Sequence, residues 1–291
     1  MRSGTRRPFG KIPPHRPRHR CGLAILSFAL VTPALAVTDG NVADRPLEPA
    51  APWTVEYADE LCVASRPYRS GKQHFIVGIR QYPQEHPSLA LWVSSNSARV
   101  TGGKAELGFD QQPAIEMPYR RGPVAIKGLH LIALEAKPNQ LAALGSSRLL
   151  RVSAGNLGAS FKLGNISGAM NALKACERDL LLTWGMDAEV LSSIATFPKD
   201  KVGLFGLLDQ YDYPLGALID ERQGITSVRF WVGTDGSVSG CHVVRSSGSA
   251  DFDDKACQIM TDRAILEPAR TADGRPVRSV GFRRFRFELH R

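Results

Sequence analysis

The chain has 291 residues, 43% of them hydrophobic and 22% charged, with 37 Lys plus Arg against 28 Asp plus Glu for a net charge of +9. That balance supports real hydrophobic cores and excludes a disordered, collagenous or coiled-coil chain as a whole. The excess charge invites a nucleic-acid reading, but seven of the basic residues (Arg2, Arg6, Arg7, Lys11, Arg16, Arg18, Arg20) lie in the first twenty, and residues 37–291 carry 30 against 28. No nucleic-acid partner is expected.

The basic stretch is followed by sixteen uncharged residues, Cys21 to Ala36, ending in Ala34-Leu35-Ala36. A basic region, a short apolar region and a small-x-small ending predict a signal peptide over 1–36 cleaved before Val37. A spanning helix needs about 20 apolar residues; the alternative is an uncleaved inner-membrane anchor with Arg18 and Arg20 on the cytoplasmic side. Arg6-Arg7-Pro8-Phe9 resembles a twin-arginine export motif, so the route is left open between two pathways. Either reading places the bulk of the chain in the periplasm, free or anchored.

A short tail is expected over 37–50. Residues 51–195 then hold repeated period-two runs: Phe75-Val77-Ile79, Leu89-Leu91-Val93, Ala105 to Phe109, Val124 to Leu134 and Leu149 to Leu163. Pro83, Pro87, Gly102-Gly103, Pro113, Pro118 and Pro138-Asn139 punctuate them, the pattern of an antiparallel sandwich or barrel. One helix is predicted from about Ser167 to Trp184, with Ile166, Met170, Leu173, Cys176, Leu180, Leu181 and Trp184 forming its stripe and Gly185 as its stop. Residues 196–212, with Pro198, Gly203 and Gly206, read as a linker.

In 213–291, Tyr213-Pro214 opens a short helix that Gly224 ends. Alternating Val228, Phe230 and Val232 lead to Asp235-Gly236, and alternation resumes through Val238, Cys241 and Val243, the pattern of a hairpin. A helix from about Asp251 to Ala264 carries Asp251, Asp253 and Asp254 in its first turn, where the helix dipole favours acids, and buries Phe252, Ala256, Ile259 and Met260. A last strand runs from Val277 to Leu289. Its parity slips at Arg283-Arg284, because Val280 and Phe282 lie on one face and Phe285, Phe287 and Leu289 on the other, and a β-bulge is the expected cause. The fold class is therefore α+β: a β-rich sandwich or barrel-like N-terminal domain and a small α-β-β-α-β C-terminal domain.

Four cysteines remain after the leader: Cys62, Cys176, Cys241 and Cys257. An even count in an exported chain suggests two disulfides with three connectivities open; Cys62–Cys176 with Cys241–Cys257 keeps each bridge inside one domain and is the expected pairing. Free buried thiols are the alternative. No Cys-x-x-Cys or Cys-x-x-His pair supports a zinc site, and no metal or cofactor is expected.

The last quarter of the chain resembles the TonB C-terminal domain family. The matching residues are Tyr213-Pro214, Ala217, Gly224, Val228, Phe230, Val232, Asp235-Gly236, Val243-Val244, Ser246-Ser247-Gly248, Asp253, Ala256, Pro268-Ala269, Asp273-Gly274 and Pro276-Val277. The resemblance implies a non-catalytic periplasmic module that binds an outer-membrane receptor's N-terminal peptide, or another envelope protein, by strand addition. The partner-binding strand it implies comprises Val277, Val280, Phe282, Arg283, Arg284, Phe285, Arg286 and Phe287. An exposed edge offers unpaired N–H and C=O groups for such pairing, and the three arginines would draw an acidic peptide or an anionic polymer.

Two departures from the family separate the readings. Its transducers carry a committed anchor that couples to an inner-membrane motor, and a long Pro-rich spacer; here a compact domain stands in place of the spacer. The alternative to a released binding protein is an anchored energy transducer for transport through outer-membrane receptors. A second alternative is a periplasmic enzyme with its site in the N-terminal domain. No Gly-x-Ser-x-Gly, phosphate-cradling Gly-rich loop or His-Glu-x-x-His motif supports it, and Cys241-His242 would face opposite sides of a strand. No catalytic residue is expected, and the oligomeric state is not legible.

Overall fold

The computed structural model describes residues 45–95, 100–124, 127–137, 140–201 and 209–289. The predicted leader or anchor over 1–36 and most of the predicted tail lie outside them. Among the described residues no helix is long and apolar enough to cross a membrane.

Nine antiparallel strands make the first sheet: β1 (Thr54–Tyr57), β2 (Cys62–Ser70), β3 (Gln73–Gln81), β4 (Ser88–Ser94), β5 (Thr101–Phe109), β6 (Ile115–Pro123), β7 (Leu129–Leu134), β8 (Leu149–Ala154) and β9 (Leu157–Lys162). Their order is β1-β2-β3-β4-β7-β6-β5-β8-β9. The sheet curls so that its far ends meet. Leu47 bridges to Phe161 on β9 and Pro49 to Tyr68 on β2, and the Phe161 ring contacts Tyr68 and Phe75 edge-on at 5.0 and 5.6 Å. Alternation puts Phe75, Val77 and Ile79 on the enclosed face with Leu89, Leu91, Val93 and Ile132.

Two prolines lie inside strands rather than between them. Pro67 in β2 gives its carbonyl to Ala50 N–H, and Pro118 in β6 gives its own to Glu135 N–H, one residue past the end of β7. Each proline's nitrogen therefore faces a side where no ladder donor is required, which makes it tolerable within a sheet.

Helix α1 (Ile166–Thr183) is capped by Asn165, whose side chain accepts from Gly168 N–H. It buries Ile166, Ala169, Leu173, Cys176, Leu180 and Leu181, close to the predicted stripe. Cys176 on this stripe is bonded to Cys62 at the start of β2. Gly185 adopts φ +98°, the left-handed conformation that ends a helix, and Met186 N–H returns to Leu181 C=O.

A short helix α2 (Ala188–Ser193) leads to β10 (Ile194–Thr196) and β11 (Lys199–Asp200). The first residues of the segment expected to be a linker are paired: β10, which ends in Thr196, pairs with β15 (Ala269–Thr271), and β11 with β14 (Leu266–Glu267). After α3 (Leu215–Ile219), β12 (Gly224–Val232) and β13 (Val238–Arg245) form the expected hairpin. Asp235 accepts from Ser237 N–H and Oγ–H at its turn. Gly236 has φ +87° and a Cβ there would lie 2.0 Å from Leu266 O, so only glycine fits. Helix α4 (Ala250–Arg263) buries Phe252, Ala256, Ile259 and Met260 as predicted, and Cys241–Cys257 joins it to β13. β16 (Pro276–Val277) pairs with β15, and β17 (Ser279–Phe287) completes the sheet order β13-β12-β17.

The expected bulge in the last strand is absent. β12 and β17 pair one residue to one from Gly224–Phe287 through Val232–Ser279 without a shift. The parity slip has another cause, which is burial on both faces. Phe285 and Phe287 enter the core of α4 and β12, whereas Val280 and Phe282 enter a separate core with Tyr82, Leu181, Trp184, Met186 and Leu191.

Two carboxylates tie the C-terminal part to pH. Asp212 accepts from both terminal nitrogens of Arg263 at 2.7 and 2.9 Å and from Asp209 N–H. Asp253 accepts from Thr226, Ser246 and Ser247. Burial alone would raise both pKa values, but these donors outweigh it and hold both below the usual carboxylate range. A depressed folded pKa means the unfolded chain takes up protons first as pH falls. Their contribution is therefore complete above the ordinary Asp value of about 3.9 and is lost as pH drops through the lower folded values. Denaturant midpoints should hold between about pH 5 and 7 and fall below about pH 4, with a shallower fall in Asp253→Asn and Asp212→Asn. An unchanged acid limb in both variants would contradict this.

Candidate functional site

β17 is the outermost strand of its sheet, and the eight strand residues named from sequence have different surroundings. Val277 lies on β16, in the small sheet with Ala269. Phe285 and Phe287 are core residues, and Phe287 stacks on Phe252 with ring centres 4.4 Å apart. Val280 is fully buried, and Phe282 is sandwiched between Tyr82 (6.0 Å) and Trp184 (5.6 Å) in near-parallel stacking. Arg283 pairs with Asp200 of β11. Arg284 pairs with Glu85 at 3.1 Å and lies 3.8 Å over the Tyr82 ring, a cation–π contact. Of the eight, only Arg286 is exposed, 2.9 Å from Glu288.

The free edge of β17 is engaged at one end. Val280 N–H points to Met186 Sδ at 3.1 Å, and Val280 C=O accepts from Gln84 Nε2. Both groups face away from β12. In an antiparallel ladder this outward orientation recurs at every second residue, so the backbone groups of Phe282, Arg284 and Arg286 also face away from β12.

The residues that engage Val280 were not singled out by sequence patterns. Gln84 follows Tyr82-Pro83 in a turn, has φ +64° and donates its backbone N–H to Glu177 at 2.8 Å. Burial raises the Glu177 carboxyl above its ordinary range, and that N–H bond partly offsets the rise. Met186 is delivered by the turn at Gly185. The only sequence signal for either was turn punctuation, which places a turn but not what it reaches. Further bonds join the same surfaces: Arg245 of β13 to Glu60 at 2.7 Å, and Arg120 of β6 to Glu288 at 3.1 Å.

Beyond Phe282 the surfaces part into a cleft of about 850 Å³ between the outer face of the first sheet and the end of β17. Among the described residues no group of three or more His, Cys, Asp or Glu side chains is arranged to hold a metal ion. The exposed, mixed-charge character of the cleft suits binding of a polar partner more than enclosure of a small apolar molecule.

No curated protein matches the chain. Residues 209–289, from the cap of the turn before α3 to two residues past β17, match the family model described as the Gram-negative bacterial TonB protein C-terminal, and it is to that domain that this segment is similar.

Proposed function

We propose that the chain is an exported, non-catalytic envelope protein, working in the periplasm, whose C-terminal domain pairs by strand addition with an outer-membrane receptor peptide or a peptide of another envelope protein. In this reading residues 51–195 form a barrel-like module with a closing helix, and 213–291 an α-β-β-α-β module that presents β17. The observation that carries it is the place of β17 at the end of its sheet within the matched segment. Two disulfides fit an oxidising compartment. Because Val280 is already engaged, pairing is confined to the stretch from Phe282 to Glu288, beside the cleft.

Arg286→Pro tests this directly. Its N–H faces away from β12, so proline removes a donor for the incoming strand without removing a bond to β12. Affinity for synthetic receptor N-terminal peptides, measured by fluorescence anisotropy, should fall about tenfold, the loss of about 1.4 kcal/mol. An equal affinity in Arg286→Pro and the parent would sink strand addition at this edge.

A further inference from the structure

The cleft contains a feature that strand pairing does not use. Arg80 at the end of β3 and Ser88 at the start of β4 are cross-strand partners on the sheet's outer face. The Nε of Arg80 and the Oγ of Ser88 are both buried, and neither has a hydrogen-bond partner among the described residues. Two adjacent orphaned polar atoms are costly, because each has given up water without replacement. Both residues line the cleft.

The electrostatics around them are lopsided. Arg80, Arg120, Arg121, Arg245, Arg284 and Arg286 line the cleft against Glu85, Glu135 and Glu288. Arg284 is offset by Glu85, and Arg286 and Arg120 by Glu288. Arg80 has no ion pair among the described residues. Burial first, and then the nearby charges of Arg284 and Arg286, hold its pKa below the usual guanidinium value, with Tyr82 and Glu85 opposing. Three converging guanidiniums repel one another, and the two carboxylates paired with Arg284 and Arg286 leave the charge of Arg80 uncompensated.

We propose that the cleft binds a phosphate-type dianion, held by the guanidinium of Arg80 and the hydroxyl of Ser88 with Arg284 and Arg286 facing it. A dianion offsets more of this charge than a monocarboxylate. Its tetrahedral oxygens accept from guanidinium forks on one side and a hydroxyl on another. A free phosphate and the phosphomonoester headgroup of a lipid share this chemistry. The inference goes beyond the strand-pairing reading and does not depend on it, since its probes contain no peptide.

Two binding measurements on the full chain test it at low ionic strength. One is calorimetric titration with inorganic phosphate; the other is co-sedimentation with phosphatidylcholine vesicles with and without phosphatidic acid. The expected result is saturable binding to at least one probe, about tenfold weaker in Arg80→Met and several-fold weaker in Ser88→Ala. Lys104→Met, whose partner is Glu116 on β6, should bind like the parent. Saturation by free phosphate without retention on vesicles identifies a soluble ligand, and retention only on phosphatidic acid identifies a lipid headgroup. Circular dichroism checks that Arg80→Met folds, and Ser88→Ala removes a hydroxyl with little change of shape. Absence of saturable binding to either probe overturns the proposal. So do equal affinities in the parent, Arg80→Met and Ser88→Ala, or an equal loss in Lys104→Met, which would mark diffuse charge.

Discussion

Replacing Cys62 and Cys176 together by alanine is expected to lower stability by about 4 to 5 kcal/mol, more than loss of the other bridge. The bridge spans 114 residues, against 16 for Cys241–Cys257. In the loop-entropy account the longer closure removes more freedom from the unfolded chain, by about 1.7 kcal/mol relative to the shorter one. Position adds to this effect. Both cysteines are fully buried, and the bond staples the middle of α1 to the start of β2, so its loss loosens the helix that carries Trp184 and Met186 to β17. Guanidinium unfolding of the double variant and of the Cys241→Ala/Cys257→Ala pair gives the comparison. If the Cys62/Cys176 variant lies within about 1 kcal/mol of the parent, the bridge does not hold the helix in the way argued.

The parts of the structure that could be read from sequence are those decided by near neighbours in the chain. The α1 stripe, the Asp235-Gly236 hairpin and the buried face of α4 depend on spacing within one turn or one strand pair, and each has its expected place. β2 and β6 were not legible, because Pro67 and Pro118 look like breaks unless the side of the strand facing each ring is known. That depends on Ala50 and Glu135, partners outside the strand's own ladder. The same reason underlies the missed character of β17. A run with apolar residues on one parity and then the other signals a bulge when one face meets water, and two-sided burial when both faces are covered. The second cover comes from Tyr82, Trp184 and Met186, about 100 to 200 positions earlier, and no local pattern announces it. So the last strand itself was legible, whereas the engagement of its Val280 by the chain's own Gln84 and Met186 was not.

Phe282→Ala should be the most disruptive single change at the junction, costing about 3 to 5 kcal/mol. The ring is 4% exposed and stacks on two aromatic rings at once, so truncation removes both contacts and leaves a cavity between rigid neighbours. Phe252→Ala is the matched comparison: Phe252 is fully buried in the core of α4 and stacks on Phe287, so a similar global loss is expected. The two differ in local consequence. Phe282 holds β17 where Met186 and Gln84 reach Val280, so its loss should speed amide exchange at Val280 beyond what the global loss of stability explains. In Phe252→Ala that exchange should follow global stability alone. The residues sit in separate cores, so their losses should add within about 0.5 kcal/mol in the double variant. A Val280 exchange rate that tracks global stability equally in both variants would show that the aromatic stack does not secure the strand. With the stack removed and the C-terminal core intact, the outward groups of β17 gain one further position for an incoming strand. Receptor-peptide affinity in Phe282→Ala should then equal or exceed the parent's while its stability falls, the reverse of what a merely structural defect produces.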